Sequence, residues 1–128
     1  MSELQRILHV EDDPSIQAVA KLALEAVGGF QVLSCSSGQD ALDQLQGFAP
    51  DFILLDVMMP DMDGPQTLEQ IARLIDINLV PVVFMTAKVQ PTEIAHYRSL
   101  GARDVIIKPF DPMQLAAQVR KIWSLAHE

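Results

Sequence analysis

A chain of 128 residues, 49% of them hydrophobic and 20% charged, has the make-up of a globular fold with one core and little room for a second. Seventeen acids against nine bases give a formal net charge of −8, which disfavours direct contact with a nucleic acid backbone, where lysine and arginine must replace counterions. No apolar run approaches the roughly 20 residues of a membrane helix, the first residues lack the apolar stretch of a leader, and the lone Cys35 rules out an internal disulfide, so a cytoplasmic protein is expected.

Short apolar, β-branched runs alternate with longer stretches of helical period. The first run, Arg6–Val10, reads as a strand and ends in Glu11-Asp12-Asp13. A helix follows, with Ile16, Val19, Ala20, Ala23, Leu24 and Val27 on one expected buried face and Gly28-Gly29 ending it. Asp13, just ahead of Pro14, suits its N-cap. The second strand is expected over Gln31–Cys35, at a sheet edge. A short helix carrying Ala41, Leu42 and Leu45 comes next, stopped around Gly47. The third strand, Phe52–Asp56, is apolar up to Asp56. A helix opened by Pro65 after Gly64 follows it, marked by Leu68, Ile71, Ala72 and Ile75. The fourth strand, Val80–Met85, leads into Thr86. Its helix opens at Pro91, buries Ile94, Ala95 and Leu100, and has Gly101 as cap. The fifth strand, Asp104–Ile107, precedes Lys108, and the last helix is expected to start at Asp111-Pro112 and carry Leu115, Val119 and Ile122.

Five βα units imply an α/β fold: a doubly wound, five-stranded parallel sheet with five helices on its two faces. One domain over 1–128 is expected. With the last helix running nearly to Glu128, no effector segment is expected within the chain. In such a sheet ligands bind outside the carboxyl ends of the strands, where the strand order reverses. Glu11, Asp12, Asp56, Thr86 and Lys108 all stand at those ends. Neighbouring carboxylates repel, and a hard divalent cation with oxygen ligands relieves them. Asp12 and Asp56 are the expected direct ligands of Mg2+ (or Mn2+), Glu11 acts directly or through water, and the backbone carbonyl of Met58 adds a neutral oxygen. Asp56 can then act as a nucleophile toward phosphorus, while Thr86 donates its hydroxyl to a phosphoryl oxygen and Lys108 pairs with another.

The stretches Ile7-Leu-His-Val-Glu-Asp-Asp-Pro14, Leu54-Leu-Asp-Val-Met-Met-Pro-Asp-Met-Asp-Gly64, Thr86-Ala87 and Lys108-Pro-Phe110 closely resemble the receiver domains of two-component response regulators. The resemblance implies a flavodoxin-like strand order of 2-1-3-4-5 and a cis peptide between Lys108 and Pro109. It implies that Asp56 takes phosphate from a phosphohistidine on a histidine kinase or a histidine phosphotransfer protein, and that the chain catalyses only its own phosphorylation and dephosphorylation. Ile16, Pro109 and Phe110 would form an apolar partner surface beside Asp56. The face of the fourth helix, fifth strand and fifth helix would serve a possible homodimer. One departure concerns the switch position three residues before the lysine, where an aromatic is common and this chain has Val105. Another concerns Met58 and Lys88, at positions that tune the lifetime of the phosphoryl group. A methionine cannot orient water and a lysine can shield the anion, so slow self-dephosphorylation is expected.

Two other classes compete. A magnesium-dependent phosphohydrolase using an aspartyl-phosphate would need a second acid two residues after the nucleophile, where Met58 stands. A degenerate receiver acting as a binding scaffold would not need the intact set Glu11, Asp12, Asp56, Thr86 and Lys108. His9, His96 and His127 lack metal-ligand spacing, His9 is expected to be packed in the core, and Trp123 to serve packing or an interface. Asp61-Met-Asp-Gly64 fails as a calcium loop, because counting back from Gly64 puts Met59 at the first ligand position.

Overall fold

The computed structural model describes residues 3–87 and 90–128. Five strands, β1 (Arg6–Val10), β2 (Gln31–Cys35), β3 (Phe52–Asp56), β4 (Val82–Thr86) and β5 (Asp104–Ile107), form one sheet in the order β2-β1-β3-β4-β5. Every neighbouring pair is parallel, with Leu8 opposite both Leu33 and Ile53, and Phe84 opposite Val105. The order reverses between β1 and β3, so the crevice of a doubly wound sheet falls at their carboxyl ends. The expected fold, including the order that the resemblance implied, is the one observed.

The strand pleat divides the apolar residues between two cores. Ile7, Phe52, Leu54, Val83, Met85 and Ile106 face one side, under helix α1 (Pro14–Leu22) and helix α5 (Leu115–Ala126). Leu8, Val10, Ile53, Leu55, Val82 and Phe84 face the other, under α2 (Gly38–Phe48), α3 (Gly64–Leu74) and α4 (Pro91–Ser99). Every residue of β3 and β4 is buried, which is why both read as apolar runs up to Asp56 and Thr86. Among the described residues no helix is long and apolar enough to cross a membrane.

The helices depart from their expected bounds in ways the local chemistry explains. Asp13 does cap α1, its carboxylate accepting from Ser15 N at 2.8 Å. After Leu22 the helix widens into a π-turn over Ala23–Val27, closed by Gly28 N donating to Ala23 O at 3.3 Å. The extra residue in that turn rotates the following positions, and Val27 is 51% exposed instead of buried. Val19 is also exposed, at 44%. It lies roughly 90° around the helix from the centre of Ala20, Ala23 and Leu24, the residues that are buried.

Helix α2 runs through Gly47 and stops two residues later. Ala49 takes the left-handed cap conformation (φ 51°), and Pro50, without an N–H, cannot extend the helix. The face expected for α4 is not buried either: Ile94 is half-buried, Ala95 and Leu100 are exposed, and Tyr97 alone is buried. Helix α5 begins at Leu115, later than expected. Asp111 still organises its approach, its carboxylate accepting from Met113 N at 2.9 Å and its carbonyl from Gln114 N and Leu115 N. At the far end Trp123 packs against the first core and stacks on His127 with centroids 3.6 Å apart.

Candidate functional site

The sheet ladder continues past the strand ends and so sets the site residues side by side. Glu11 N donates to Cys35 O at 2.9 Å, Val57 N to Met85 O at 3.2 Å, and Lys108 N to Thr86 O at 2.9 Å. Each bond holds a main chain just where a functional side chain emerges. The result is a cavity of about 350 Å3 lined by Glu11, Asp12, Asp13, Ile16, Asp56, Met58, Thr86, Ala87 and Lys108. All five residues expected at the strand ends line it. Lys88 lies outside the described residues.

Lys108 is the electrostatic centre of this cavity. Its Nζ donates to Glu11 Oε1 at 2.8 Å and to Asp56 Oδ1 at 3.0 Å. The two acids are almost fully buried, with side-chain exposures of 1% and 6%, while the lysine retains 19%. Burial by itself would lower the lysine pKa. The two hydrogen bonds and the charges of Asp56 and Glu11 outweigh it and raise the pKa instead. The lysine is therefore a firmly charged ammonium. Thr86 is buried at the end of β4, against the same cavity.

One carboxylate oxygen from each of Glu11, Asp12 and Asp56 lies within 4.8 Å of the other two. Asp12 is the exposed member. Its carboxyl is pushed above the usual carboxylate range by desolvation, by a hydrogen bond with Glu11 and by that residue's charge, against a smaller opposing pull from its own backbone and Lys108. Three acids for one ammonium leave the cluster short of positive charge. An all-oxygen set of this kind suits a hard cation, so the cluster can hold a metal ion.

The loop after Asp56 is shaped by two backbone demands. Asp61 adopts a positive φ of 67°. Gly64 donates its N–H to Val57 O at 2.8 Å, and a Cβ on Gly64 would stand 2.6 Å from the carbonyl oxygen of Asp56. Only glycine lets α3 start this close to the acid. Asp63 and Gln66 then form a reciprocal capping box, with bonds of 2.9 and 3.0 Å. The peptide between Lys108 and Pro109 is cis, as the resemblance implied.

Ile16, Pro109 and Phe110 do come together. With Ser15, Val19, Ala87 and Lys108 they line an apolar cleft of about 450 Å3 that shares Ile16, Ala87 and Lys108 with the acid cavity. Val19, expected in the core, belongs to this cleft, which accounts for its exposure. Val105 is half-buried and packs against the second core. His9 is fully buried in β1. Among the described residues neither of its ring nitrogens has a hydrogen-bond partner, and burial, helped by the charge of Lys108, lowers its pKa to about 4. The expectation of a packed core histidine holds.

Three contributors escape a reading of the sequence. Gln17 uses its amide to bond the carbonyl of Glu11, and its reach to Ser36 Oγ is 3.3 Å, so α1 steadies the acidic loop. Gly64 carries the close approach just described. A glycine eight residues after a strand-end acid is a usable signal, but it points to a turn and not to a contact. Tyr97 is the buried anchor of α4, its ring meeting Phe84 edge-on at 5.1 Å. A single aromatic in a polar helix gives too little periodicity to reveal that role.

A family model for the response regulator receiver domain matches residues 7–120. The chain is 36% identical over 117 residues to the DNA-binding response regulator MtrA of Mycolicibacterium smegmatis, which covers 91% of this chain and 49% of that protein. It is 35% identical over 122 residues to the transcriptional regulatory protein CseB of Streptomyces avermitilis, covering 95% of this chain and 50% of the other. The chain thus spans about half the length of these curated relatives. In three dimensions it is similar to the chemotaxis protein CheY4 of Vibrio cholerae, with TM-score 0.86, 25% identity, and coverage of 94% and 99% of the two chains. It is likewise similar to the signal receiver domain of a signal transduction histidine kinase from Syntrophus aciditrophicus, with TM-score 0.80, 32% identity and coverage of 94% and 90%.

Proposed function

Because the chain belongs to the family of response regulator receiver domains, we propose that residues 1–128 form one phosphorylatable signalling module with Asp56 as phosphoacceptor. The Asp56 carboxylate attacks the phosphorus of a phosphohistidine on a histidine kinase or a histidine phosphotransfer protein. The new O–P bond forms as the P–N bond breaks, and the imidazole leaves. One observation carries this reading: Asp56 and Glu11 are buried at adjacent strand ends, and one ammonium reaches both at 3.0 and 2.8 Å.

The remaining roles follow from the same cavity. Glu11, Asp12 and Asp56, with the main-chain carbonyl of Met58, would hold Mg2+, or Mn2+ in its place. When bound, the ion supplies positive charge to the phosphoryl oxygens. Lys108 exchanges its bond with Asp56 for one with a phosphoryl oxygen, which costs little because the ammonium stays charged throughout. Thr86 donates its hydroxyl to a further oxygen. The main-chain bond between Lys108 and Thr86, at 2.9 Å, supports a coupled shift of β4 and β5 in response. No aromatic ring at Val105 is then needed. The apolar cleft of Ile16, Val19, Pro109 and Phe110 opens beside Asp56 and suits the helices that carry the donor histidine. The face of α4, β5 and α5 is the proposed homodimer surface.

Self-dephosphorylation is slow in this reading, since Met58 at the cavity rim is a weak hydrogen-bond acceptor that cannot orient water. Lys88 is assigned the same shielding role that the sequence suggested. The cytoplasm is the proposed location, consistent with a single free and buried cysteine. The net charge of −8 argues against DNA contact by these residues. That exclusion does not extend to a larger protein, because MtrA is a DNA-binding response regulator about twice as long.

Incubation with magnesium and acetyl phosphate, followed by intact-mass measurement, tests the proposal. A single phosphoryl adduct that Asp56→Asn abolishes is the expected result. Continuous release of phosphate from external substrates would point to a phosphohydrolase instead, and no adduct at all would point to a scaffold.

A further inference from the structure

Met58 stands out among the described methionines, of which Met62 is half-buried. Met58 is 71% exposed on the loop after β3, and it lines the cavity that holds Asp56, Thr86 and Lys108. Met59 is 9% exposed and Met85 fully buried. Met113 is 67% exposed but is not among the residues lining that cavity. Met58 therefore combines solvent access with a place beside the acids. A thioether reached by solvent is open to peroxide, whereas a buried one is protected by its packing.

We propose that Met58 is a site of reversible oxidation through which hydrogen peroxide shortens the life of the phosphoryl group on Asp56. The inference rests on the receiver reading above. A sulfur lone pair attacks one peroxide oxygen, an S–O bond forms as the O–O bond breaks, and the proton on the transferred oxygen passes to the departing hydroxide, leaving the sulfoxide and water. Sulfur is oxidised by two electrons and the peroxide is reduced by two. A methionine sulfoxide reductase reverses the change at the expense of two thiols, yielding the thioether, a disulfide and water.

The consequence is a change of polarity at the cavity rim. The thioether is apolar and a weak acceptor, so water beside it is not held in any one direction. The sulfoxide oxygen is a strong acceptor on a side chain with three rotatable bonds, long enough to reach over the cavity it lines. A water that donates to this oxygen is retained next to the phosphoryl group. Positioning one attacking water through one hydrogen bond accelerates hydrolysis by about fivefold.

The test uses the full chain, with wild type, M58L and M58Q compared. Mild hydrogen peroxide followed by peptide mass mapping is expected to oxidise Met58 and Met113 well before Met59 and Met85. Each protein is then phosphorylated with acetyl phosphate and magnesium, and phosphate loss is timed after removal of the donor. Wild type should lose phosphate about fivefold faster after oxidation, the worth of one hydrogen bond. M58L, which still oxidises at Met113, should show no change between its treated and untreated samples, and M58Q should be faster than wild type without any peroxide. Equal acceleration of wild type and M58L, or protection of Met58 from oxidation, would overturn the proposal. So would an unchanged lifetime in oxidised wild type. An untreated wild type that takes no phosphate would instead refute the receiver reading itself, and this inference with it.

Discussion

Replacing His9 by leucine should convert an acid-sensitive core into one that tolerates mild acid. The imidazole is 0% exposed, and its pKa falls from 6.5 to about 4 through burial and, secondarily, the charge of Lys108. A histidine whose folded pKa is depressed makes no demand above the unfolded value. Stability is lost as pH falls below 6.5, where the unfolded chain gains a proton that the folded one refuses, and the loss levels off near pH 4. At about pH 5 the unfolded imidazole is almost wholly protonated and the folded one only about one-tenth so, which makes the loss about 2 kcal/mol relative to about pH 7.5. Near the folded pKa and below, it approaches about 3 kcal/mol. His9→Leu removes this contribution. It also removes two buried nitrogens without partners among the described residues, and should add about 1 kcal/mol at neutral pH. Urea unfolding of both proteins at several pH values between about 5 and 7.5 reads the difference directly as a change in midpoint. A leucine variant whose stability falls with pH as steeply as wild type would refute the reasoning.

Lys108→Met should prevent stable phosphorylation and should destabilise the metal-free protein by up to about 3 kcal/mol, because it strands two buried carboxylates. Added magnesium should recover part of that loss in thermal melts. Since the Lys108 pKa is raised, the wild-type ion pairs should be intact at neutral pH and be lost only as pH climbs past the usual lysine value of 10.5. Asp12→Asn should act in the opposite sense. The folded pKa of Asp12 is raised, so its ionised form is destabilising at neutral pH and the strain is relieved only as pH falls through that pKa. The amide should leave the metal-free protein as stable as wild type or slightly more so, within about 1 kcal/mol, while the gain on adding magnesium disappears. Gly64→Ala should cost about 1–3 kcal/mol, because its Cβ would stand 2.6 Å from the Asp56 carbonyl. It should also slow phosphorylation while leaving far-ultraviolet circular dichroism unchanged. A variant equal to wild type in both stability and rate would show that the close approach is dispensable.

Much of the site was legible because its chemistry is concentrated at element boundaries. An acid ending an apolar strand, a threonine ending another and a lysine after a third stand out against their runs, and the shared direction of parallel strands brings all of them to one end of the sheet. Asp13 and Pro14 were equally legible, since capping is decided within one turn. What escaped were properties that depend on neighbours distant in the chain. Val19 looked like a core residue by spacing alone. Whether that flank of α1 meets another element or the open cleft beside Pro109 and Phe110 depends on how the helix is rolled on the sheet. The helix-breaking signal at Gly47 was overruled by Ala49 in the left-handed position ahead of Pro50.

By itself, then, the sequence determined the alternation of elements, the sheet class and the identity of the residues at the strand ends. These follow from hydrophobic period and local backbone preference, which act over a few residues. The tertiary structure decided how those residues meet. It put one ammonium between Glu11 and Asp56, left Asp12 exposed, brought Gly64 against the Asp56 carbonyl and made Tyr97 the anchor of α4. Distances and burial set the strength of each charge interaction, and both come into being only when separate strands and helices pack together.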